Sequence, residues 1–185
     1  MNRIPTFRTE RLLLRPVEES DAVEYERHFV DYEVIRHLAA PIPWPYPKSG
    51  SIDFIRSEVL PHQGLTKWFW AINLKEQPDK LIGMIELLRE ASPTNRGFWL
   101  GKAHWGKGYM TEALEPITDF AFGPLGFERL VFGNAVGNNR SRRIKEKTGA
   151  IFVKKVPAQY MDPTFTHKEI FELTKEAWLS RSADS

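Results

Sequence analysis

One stretch of this 185-residue chain changes its hydrophobic period within a few residues, and it limits the possible folds more than any other segment. Gly97 to Leu100 has the composition of a short β-strand, and the segment that follows contains three glycines. Apolar residues then recur at i, i+3, i+4, i+7 and i+11, which is typical of an amphipathic helix packed on a sheet. These positions are Met110, Ala113, Leu114, Ile117 and Ala121. A strand, a glycine-bearing loop and a helix in this order require a fold with both a sheet and covering helices.

The glycine-bearing loop is a candidate anion site. A helix N-terminus carries unpaired backbone N–H groups and a partial positive charge, so it suits a phosphate. Gly106 and Gly108 let the backbone approach such a group closely. The third glycine of the dinucleotide-binding fingerprint is absent, and so is the Gly-Lys-Ser/Thr ending of a P-loop. The pattern predicts a pyrophosphate site without specifying the nucleotide, and a simple tight turn is the alternative.

The remaining patterns predict an α+β fold on one mixed sheet, with residues 1–185 forming a single domain. Strands are predicted over residues 11–16, 67–72, 81–88, 97–100, 129–134, 151–156 and 166–173. Helices are predicted over residues 20–28, 33–38, 52–59, 110–121 and 139–148. Gln77 to Lys80 has the composition of a turn. Pro116 falls inside the fourth helix, where its missing N–H removes a backbone hydrogen bond.

Composition excludes several function classes. The chain has no cysteine, which excludes disulfides, a cysteine nucleophile and cysteine-ligated metal sites. Its 26 Lys and Arg against 24 Asp and Glu give a formal charge of +2, which argues against a dedicated nucleic-acid-binding protein. The five histidines lack metal-ligand spacing, so no metal is expected. No apolar run of about 20 residues and no secretory signal are visible, so a cytoplasmic protein without membrane contact is expected.

The proline-rich segment from Pro41 to Pro47 is a second candidate functional region. Its four prolines restrict the backbone to extended geometry and predict a stiff loop. One interpretation makes the loop the wall of a substrate pocket, with Trp44, Tyr46 and the preceding His37 facing the substrate. The other makes it a connector that Trp44 pins to the core.

The predicted helix after Asn138 is basic, since five of the eight residues from Arg140 to Lys147 are Lys or Arg. Such a helix would flank phosphate groups. A solvated charged face and a nucleic-acid-binding patch are the two alternatives.

Segments along nearly the whole chain resemble the GCN5-related N-acetyltransferases, and within them the RimJ/RimL-type enzymes that acetylate protein N-termini or small amines. Leu81 to Gly83 looks like the central strand of that family, and Leu173 to Trp178 resembles its C-terminal ending. Thr9 to Pro16 is similar to the opening strand of that family, and Trp105 to Ala113 is a close match to its acetyl-CoA motif. Asn138 to Gly149 resembles its second signature, an Asn-x-x-Ser followed by a basic helix and a glycine. The resemblance implies a splayed, V-shaped mixed sheet flanked by helices, with acetyl-CoA in the cleft.

The resemblance also implies where acetyl-CoA contacts the chain. Pantetheine would pair with the backbone from Trp99 to Gly101, and the pyrophosphate would lie on the N–H groups of Gly106 to Met110. Ala103 replaces the family's phosphate-side Gln or Arg, which leaves Lys107 as the nearest basic residue. Asn138 is either a helix cap or a ligand for pantetheine, or both. The expected cofactor-binding residues are Trp99, Leu100, Gly101, Trp105, Gly106, Lys107, Gly108, Tyr109, Met110, Asn138 and Arg143.

Two residues, Glu86 and Ser141, are the candidate catalytic groups. Attack on a thioester needs a neutral amine, and Glu86 is a candidate base because partial burial on a central strand would raise its pKa. Its alternative is a solvent-facing strand residue. Ser141 occupies the RimJ/RimL-type serine position and would hydrogen-bond the departing thiolate, or else serve only at the helix N-terminus. Glu112 is also a candidate base, but its place near a helix N-terminus favours a structural role.

The sequence thus predicts an acetyl-CoA-dependent N-acetyltransferase that acts by direct transfer in a ternary complex. Its acceptor is a primary amine, either a protein N-terminus such as that of a ribosomal protein or a small amine. The alternative is a non-catalytic acyl-CoA-binding or regulatory domain, because Asn95 and Lys145 stand where the wider family has its glutamate base and tyrosine acid. Nucleic acid is not an expected partner, and the oligomeric state, including a homodimer, is left open.

Overall fold

An eight-stranded sheet forms the frame of the part of the chain that is described, residues 4–39, 42–91 and 94–181 of a computed structural model. The strands are β1 (Phe7–Arg8), β2 (Leu12–Pro16), β3 (Lys67–Leu74), β4 (Gln77–Leu88), β5 (Arg96–Leu100), β6 (Arg129–Ala135), β7 (Ile151–Pro157) and β8 (His167–Thr174). They lie side by side in the order β1-β2-β3-β4-β5-β6-β8-β7.

Helices flank both faces of this sheet. They are α1 (Ala22–Phe29), α2 (Tyr32–Ile35), α3 (Gly50–Phe54), α4 (Tyr109–Phe122), α5 (Asn139–Lys147) and α6 (Lys175–Ser180). A π-helical segment, Ile55–Val59, continues α3. None of the described helices has the length and apolar character needed to cross a membrane. The α+β class with a mixed sheet, predicted from the sequence, is confirmed.

The sheet changes character between β5 and β6. These two strands run parallel and share a single residue pair, Arg96 opposite Phe132, whereas the other neighbouring strands are antiparallel. Just before that pair, Asn95 donates its N–H to the carbonyl of Val131 (2.9 Å) and accepts the Val131 N–H on Oδ1 (3.0 Å). Beyond it the strands share no further pair, so the sheet opens into the predicted V.

Two apolar layers cover the two faces of the sheet, because successive side chains of a strand point to opposite faces. In β3, Trp68, Trp70 and Ile72 belong to the layer under α4, while Phe69 and Ala71 belong to the layer under α1 and α3. The five apolar positions predicted for α4 are all buried: Met110, Ala113, Leu114, Ile117 and Ala121. The helical period of that segment therefore gave the correct buried face.

The structure corrects several predicted boundaries. Gln77 to Lys80 is not a turn but the start of β4, and the turn consists of Lys75 and Glu76 alone. The register of β3 and β4 shifts here, since Leu74 pairs with Gln77 and Asn73 with Leu81. Pro78, which has no N–H to donate, lies in this irregular part and so interrupts no regular ladder of hydrogen bonds. The sequence patterns also miss β1 and α6, and α2 ends earlier than predicted; these elements are too short to show a period.

Candidate active site

The divergence of β5 from β6 leaves a cleft of about 580 Å³. Its walls are β5, the glycine-bearing loop, the start of α4 and the exposed side of α5, and it extends to α2. Its volume lies in the range of roughly 300–1,000 Å³ that small-molecule sites occupy. The predicted site residues that line it are His37, Glu86, Trp99, Leu100, Trp105, Gly106, Gly108, Tyr109, Met110, Asn138, Ser141 and Arg143.

The glycine-bearing loop has a backbone conformation that other residues avoid. Gly106 and Gly108 have φ angles of +74° and +80°, in the left-handed region. Because α4 begins at Tyr109, the N–H groups of Gly108 to Thr111 have no intrahelical carbonyl to bind. The loop and the positive end of α4 therefore give the cleft the donors of an anion site, which a tight turn alone would not require.

Arg11 braces this loop from outside the cleft. Its Nη1 donates to the Lys107 carbonyl (2.9 Å), and its guanidinium lies over the Tyr109 ring (4.6 Å). Glu112 accepts from Arg11 Nε (2.7 Å) and from the Thr9 hydroxyl (2.5 Å). Burial opposes ionisation of Glu112, but the hydrogen bonds from Thr9 and Arg11 outweigh it and lower its pKa. These contacts agree with the structural role expected of Glu112.

The edge of β5 offers backbone groups to the cleft at alternate residues. The Gly101 N–H donates to the Ile82 carbonyl (2.8 Å), so it is already used within the sheet. In an antiparallel pair, residues bonded to the partner alternate with residues that face away from it. Leu100 and Phe98 therefore direct their backbone groups toward the cleft, while Trp99 and Gly101 direct theirs toward β4. Of the predicted segment Trp99 to Gly101, Leu100 is the residue placed for a backbone contact.

Aromatic and basic side chains close the mouth of the cleft. Trp105 donates its indole N–H to the Leu100 carbonyl (2.6 Å), and the Arg140 guanidinium lies 3.8 Å from the centroid of the Trp105 ring. Arg143 is exposed and lines the cleft. Lys107 is exposed but is not among the lining residues, so Arg143 and Arg140 are the better placed basic groups.

The basic run of α5 does not form one charged face. Arg142 is bound by Glu169 (2.5 Å) and Glu146 (2.8 Å), and Lys145 is buried. The run is therefore divided among the cleft, an ion-pair network and the interior. Neither a continuous solvated face nor a continuous nucleic-acid-binding patch describes it.

The N-terminus of α5 places Ser141 at the cleft. Asn138 caps the helix, since its Oδ1 accepts the Ser141 N–H (3.3 Å), and it lines the cleft as well. Both of the roles predicted for Asn138 are therefore compatible with its position. The Ser141 hydroxyl accepts a hydrogen bond from Lys145 Nζ at 2.6 Å.

Lys145 and Arg96 are site residues that sequence reasoning missed. Their exposed fractions are 2% and 5%, and both line the cleft. Burial, together with the charge of Arg96, lowers the pKa of Lys145 to about 7, and burial lowers that of Arg96 to about 9. The sequence offered one signal for Lys145, its alignment with the family's tyrosine, but none for its burial.

Glu86 lies on β4, opposite Gly97 of β5. A Cβ on Gly97 would overlap Glu86 Oε1, so the absence of a side chain there makes room for the carboxyl group. Burial raises the pKa of Glu86, against the opposing charge of Lys67. The residue remains partly exposed and lines the cleft. This environment is more typical of a base than of a solvent-facing strand residue.

Asn95, at the position of the wider family's base, has a structural role. Its Nδ2 donates to the Leu88 carbonyl (3.2 Å) and its Oδ1 accepts from Val131, so the side chain ties β4 to β6 across β5. With 5% of its surface exposed, it is part of the sheet junction. Asn95 therefore supplies no proton acceptor to the cleft.

The structure does not bring the predicted aromatic loop to the cleft. Pro41 lies outside the described residues. Trp44, which is 45% exposed, packs on Tyr32 with ring centroids 5.3 Å apart, and Tyr46 packs on Phe29 at 5.4 Å. Neither ring lines the cleft, because each covers the helices of the α1 face instead. The connector interpretation of Trp44 fits this packing, and the pocket-wall interpretation of the two rings stays a prediction without support from it.

His37 does line the cleft, together with Glu33 of α2 and the buried ring of Tyr160. Burial and the charges of Arg36 and Arg140 lower the pKa of His37. Its ring packs on Phe165 at a centroid distance of 4.6 Å. Among the described residues, no three His, Asp or Glu side chains are grouped as metal ligands would be.

Comparison with known proteins is consistent with this architecture. A family model described as an acetyltransferase (GNAT) domain matches residues 11–151. "Uncharacterized N-acetyltransferase p20" of Bacillus licheniformis is 32% identical over 131 residues, 68% of this chain and 70% of that protein. "Probable N-acetyltransferase YjcK" of Bacillus subtilis (strain 168) is 43% identical over 75 residues, 38% of this chain and only 41% of that relative.

A solved structure titled RimL, a ribosomal L7/L12 alpha-N-protein acetyltransferase in complex with coenzyme A, has a similar fold. Its TM-score is 0.74 at 15% identity, over 94% of this chain and 98% of that one. At this identity the likeness concerns the fold alone. The family model and the relative from Bacillus licheniformis show that this chain belongs to the acetyltransferase (GNAT) family of N-acetyltransferases.

Proposed function

We propose that this protein transfers the acetyl group of acetyl-CoA to a primary amine by direct attack within a ternary complex. The observation that carries the proposal is that one cleft is lined by both a candidate anion site and a candidate base. Unpaired backbone donors at the start of α4 lie on one side of it, and a partly buried carboxyl, Glu86, lies on the other. The first site suits a pyrophosphate and the second suits the deprotonation of an amine.

The N–H groups of the loop and of α4 up to Met110 would hold the pyrophosphate of acetyl-CoA. Pantetheine would extend along β5, where Phe98 and Leu100 direct backbone groups into the cleft. Arg143, exposed at the cleft, and Arg140 would reinforce the phosphates. In this arrangement the thioester lies near the junction of β5 and β6, between Glu86 and Ser141.

The transfer needs three contributions from the chain. Glu86 accepts a proton from the attacking amine, directly or through water. A backbone N–H on the free edge of β5 stabilises the oxyanion that forms at the thioester carbon. The Ser141 hydroxyl donates a hydrogen bond to the sulfur as negative charge develops there. No covalent acyl-enzyme is involved, and the chain has no cysteine to form one.

The acceptor would enter from the α2 side of the sheet, past His37 and Glu33. Two carboxyl groups line that part of the cleft: Glu33, which is paired with Arg36 (3.0 Å), and Glu86. A protein N-terminus is the acceptor class to test first. Its support is the similarity in fold to a ribosomal-protein acetyltransferase.

The proposal is tested by measuring CoA release from acetyl-CoA across amine classes: peptides with free N-termini, amino acids, polyamines and aminoglycosides. Each peptide is paired with its Nα-acetylated form, which lacks the reactive amine. We expect turnover with one class and none with its blocked control. Tight binding of acetyl-CoA without turnover of any amine would favour the alternative, a non-catalytic acyl-CoA-binding domain.

A further inference from the structure

Two cationic side chains are buried side by side where the cleft meets α5. Lys145 Nζ lies 2.6 Å from Ser141 Oγ, 3.4 Å from the Ser141 carbonyl and 3.5 Å from Asn134 Oδ1. None of these partners carries a negative charge. Because a buried charge is costly without a counter-ion, a lysine in this position needs a reason beyond packing.

Arg96 adds a second buried positive charge that has no negatively charged partner among the described residues. In the described part of the chain, its Nε, Nη1 and Nη2 atoms are buried without a hydrogen-bond partner. Its guanidinium lies over the Phe132 ring at 3.7 Å and near the Phe98 ring at 6.0 Å. Aromatic faces compensate part of the charge, but they do not replace a carboxylate.

The charges that face Lys145 come from two other strands. Arg96 of β5 repels its ammonium form and Glu169 of β8 attracts it. Glu169 is already engaged, since it accepts from Arg142 Nη1 (2.5 Å) and from Asn134 Nδ2 (3.0 Å). With burial as the largest cause, the pKa of Lys145 falls to about 7. Its proton is therefore available at neutral pH.

The hydrogen bond from Lys145 fixes the direction of the Ser141 hydroxyl. A serine hydroxyl has one O–H and two acceptor lone pairs, and an ammonium can only donate. With Lys145 donating to Oγ, the Ser141 O–H must point away from it. Ser141 lines the cleft, so its proton is free to point toward a ligand there.

The two candidate proton-transfer groups approach from opposite faces of β5. Glu86 lies over Gly97. Lys145 Nζ lies 5.2 Å from the ring centroid of Phe98, the next residue along the strand. Successive residues of a strand face opposite sides, so the carboxyl and the ammonium are separated by the strand itself. This separation prevents them from neutralising each other and lets one accept a proton while the other supplies one.

We propose that Lys145 is the proton source for the leaving group and acts through Ser141. This inference rests on the function proposed above. As the amine nitrogen bonds to the acetyl carbon and the C–S bond breaks, the electron pair goes to sulfur. The Ser141 hydroxyl proton passes to sulfur, and a proton from the Lys145 ammonium replaces it on Oγ. Lys145 is left as a neutral amine and takes up a proton from solvent before the next turnover.

The relay predicts a pH dependence of a definite sign. Lys145 must be protonated to act, so kcat at saturating substrates declines as the pH rises through about 7. Lys145→Met preserves the length and apolar contacts of the side chain but carries no proton. We expect kcat to fall about 100-fold and the alkaline decline to disappear. Lys155→Met, on the exposed strand β7, is the matched control and leaves both unchanged.

Two further variants separate a relay from a structural lysine. Arg96→Met removes the neighbouring positive charge, so the alkaline decline moves to higher pH. Ser141→Ala interrupts the relay with Lys145 intact, so the decline is lost as it is in Lys145→Met. A lysine needed only for packing would leave the pH profile of both variants where it is in the wild type. These variants also decide the matter should Lys145→Met fail to fold.

A binding measurement tests the same idea without any acceptor. Calorimetry compares CoA with desulfo-CoA across pH. If Lys145 and Ser141 lie at the sulfur, the wild type prefers CoA, whose sulfur accepts the Ser141 O–H, and this preference declines as the pH rises through about 7 and Lys145 loses its proton. Lys145→Met loses this pH dependence. Failure of the wild type to bind acetyl-CoA would overturn the proposed function. Wild-type turnover with an unchanged Lys145→Met profile would overturn the relay alone.

Discussion

Two sets of groups line the cleft, backbone groups in one region and titratable side chains in another. One wall, from Leu100 to Met110, presents backbone groups whose positions follow from strand alternation, two left-handed glycines and a helix N-terminus. The other lining groups, called the side-chain wall, are the titratable side chains of Glu86, His37 and Lys145, which come from different elements; burial displaces the pKa of each.

The difference explains why the two walls tolerate change differently. A backbone wall is insensitive to most side chains, since only an added Cβ or a lost glycine conformation alters it. A side-chain wall depends on the identity of each residue and on the desolvation that adjusts its pKa. The four predictions that follow probe the comparison, from the largest expected effect to the smallest.

Glu86→Gln tests the side-chain wall. We expect kcat to fall about 100-fold or more, because a positioned base contributes roughly 10²–10⁴-fold, with little change in acetyl-CoA affinity. In the wild type, kcat should fall as the pH decreases through the raised pKa of Glu86, since the carboxyl must be ionised to accept a proton. Steady-state rates against pH check both, with the exposed Glu90→Gln as control. If kcat of Glu86→Gln still fell at low pH as it does in the wild type, Glu86 would not be the base.

Asn95→Asp restores a carboxyl group at the family's position but in the sheet junction. The change removes the donor to the Leu88 carbonyl and places a carboxyl group where only 5% of the residue is exposed. We expect the free energy of unfolding to fall by about 1–3 kcal/mol, with no gain in turnover. Denaturant titration and kinetics on the same variant check this. A faster enzyme of normal stability would show that the base can also act from β5.

Gly108→Val tests the backbone wall. Valine at a left-handed φ costs about 1–2 kcal/mol, and its Cβ would lie 3.4 Å from Arg11 Nη2, the side chain that braces the loop. The loop must therefore shift, and its N–H groups leave the positions proposed for the pyrophosphate. We expect acetyl-CoA affinity to fall by about tenfold or more. Gly126→Val is the matched control, because Gly126 has a φ of +66° with open space around it and lies outside the cleft. Equal losses of affinity in both variants would point to general strain rather than to a phosphate site.

His37→Ala and Trp44→Ala compare a residue inside the cleft with one outside it. We expect His37→Ala to raise the acceptor KM several-fold and leave acetyl-CoA affinity unchanged. Trp44→Ala should lower Tm slightly, through the lost packing on Tyr32, without changing either KM. Melting temperature and both constants are measured on each variant. If the acceptor KM rose only in Trp44→Ala, the aromatic loop and not His37 would contact the acceptor.

The sequence was most informative where backbone geometry carries the information. The period of α4 predicted its buried face, and two glycines marked the loop because few other residues adopt its φ angles. Burial of charged residues left no comparable pattern. Nothing in the local sequence distinguishes Lys145 from the exposed Lys147 two positions later. Arg96 stands at the start of β5, one residue before the predicted strand, and no pattern there indicates that it is buried. The position of Trp44 depended on which helix its loop would cover, which a proline pattern does not specify.

The single residue pair between β5 and β6 has a mechanical consequence. Backbone hydrogen bonds fix the distance between strands, but past Arg96 and Phe132 the two parts of the sheet are held mainly by side-chain packing beneath α4. Dispersion contacts are less directional than a hydrogen-bonded ladder, so the aperture between the parts follows the volume of that packed layer. We therefore expect that a change in the volume of a core residue such as Leu130, which does not line the cleft, changes the width of the cleft. The distance between β5 and β6 at the open end of the cleft is then set by the packing of the hydrophobic layer and not by backbone hydrogen bonds.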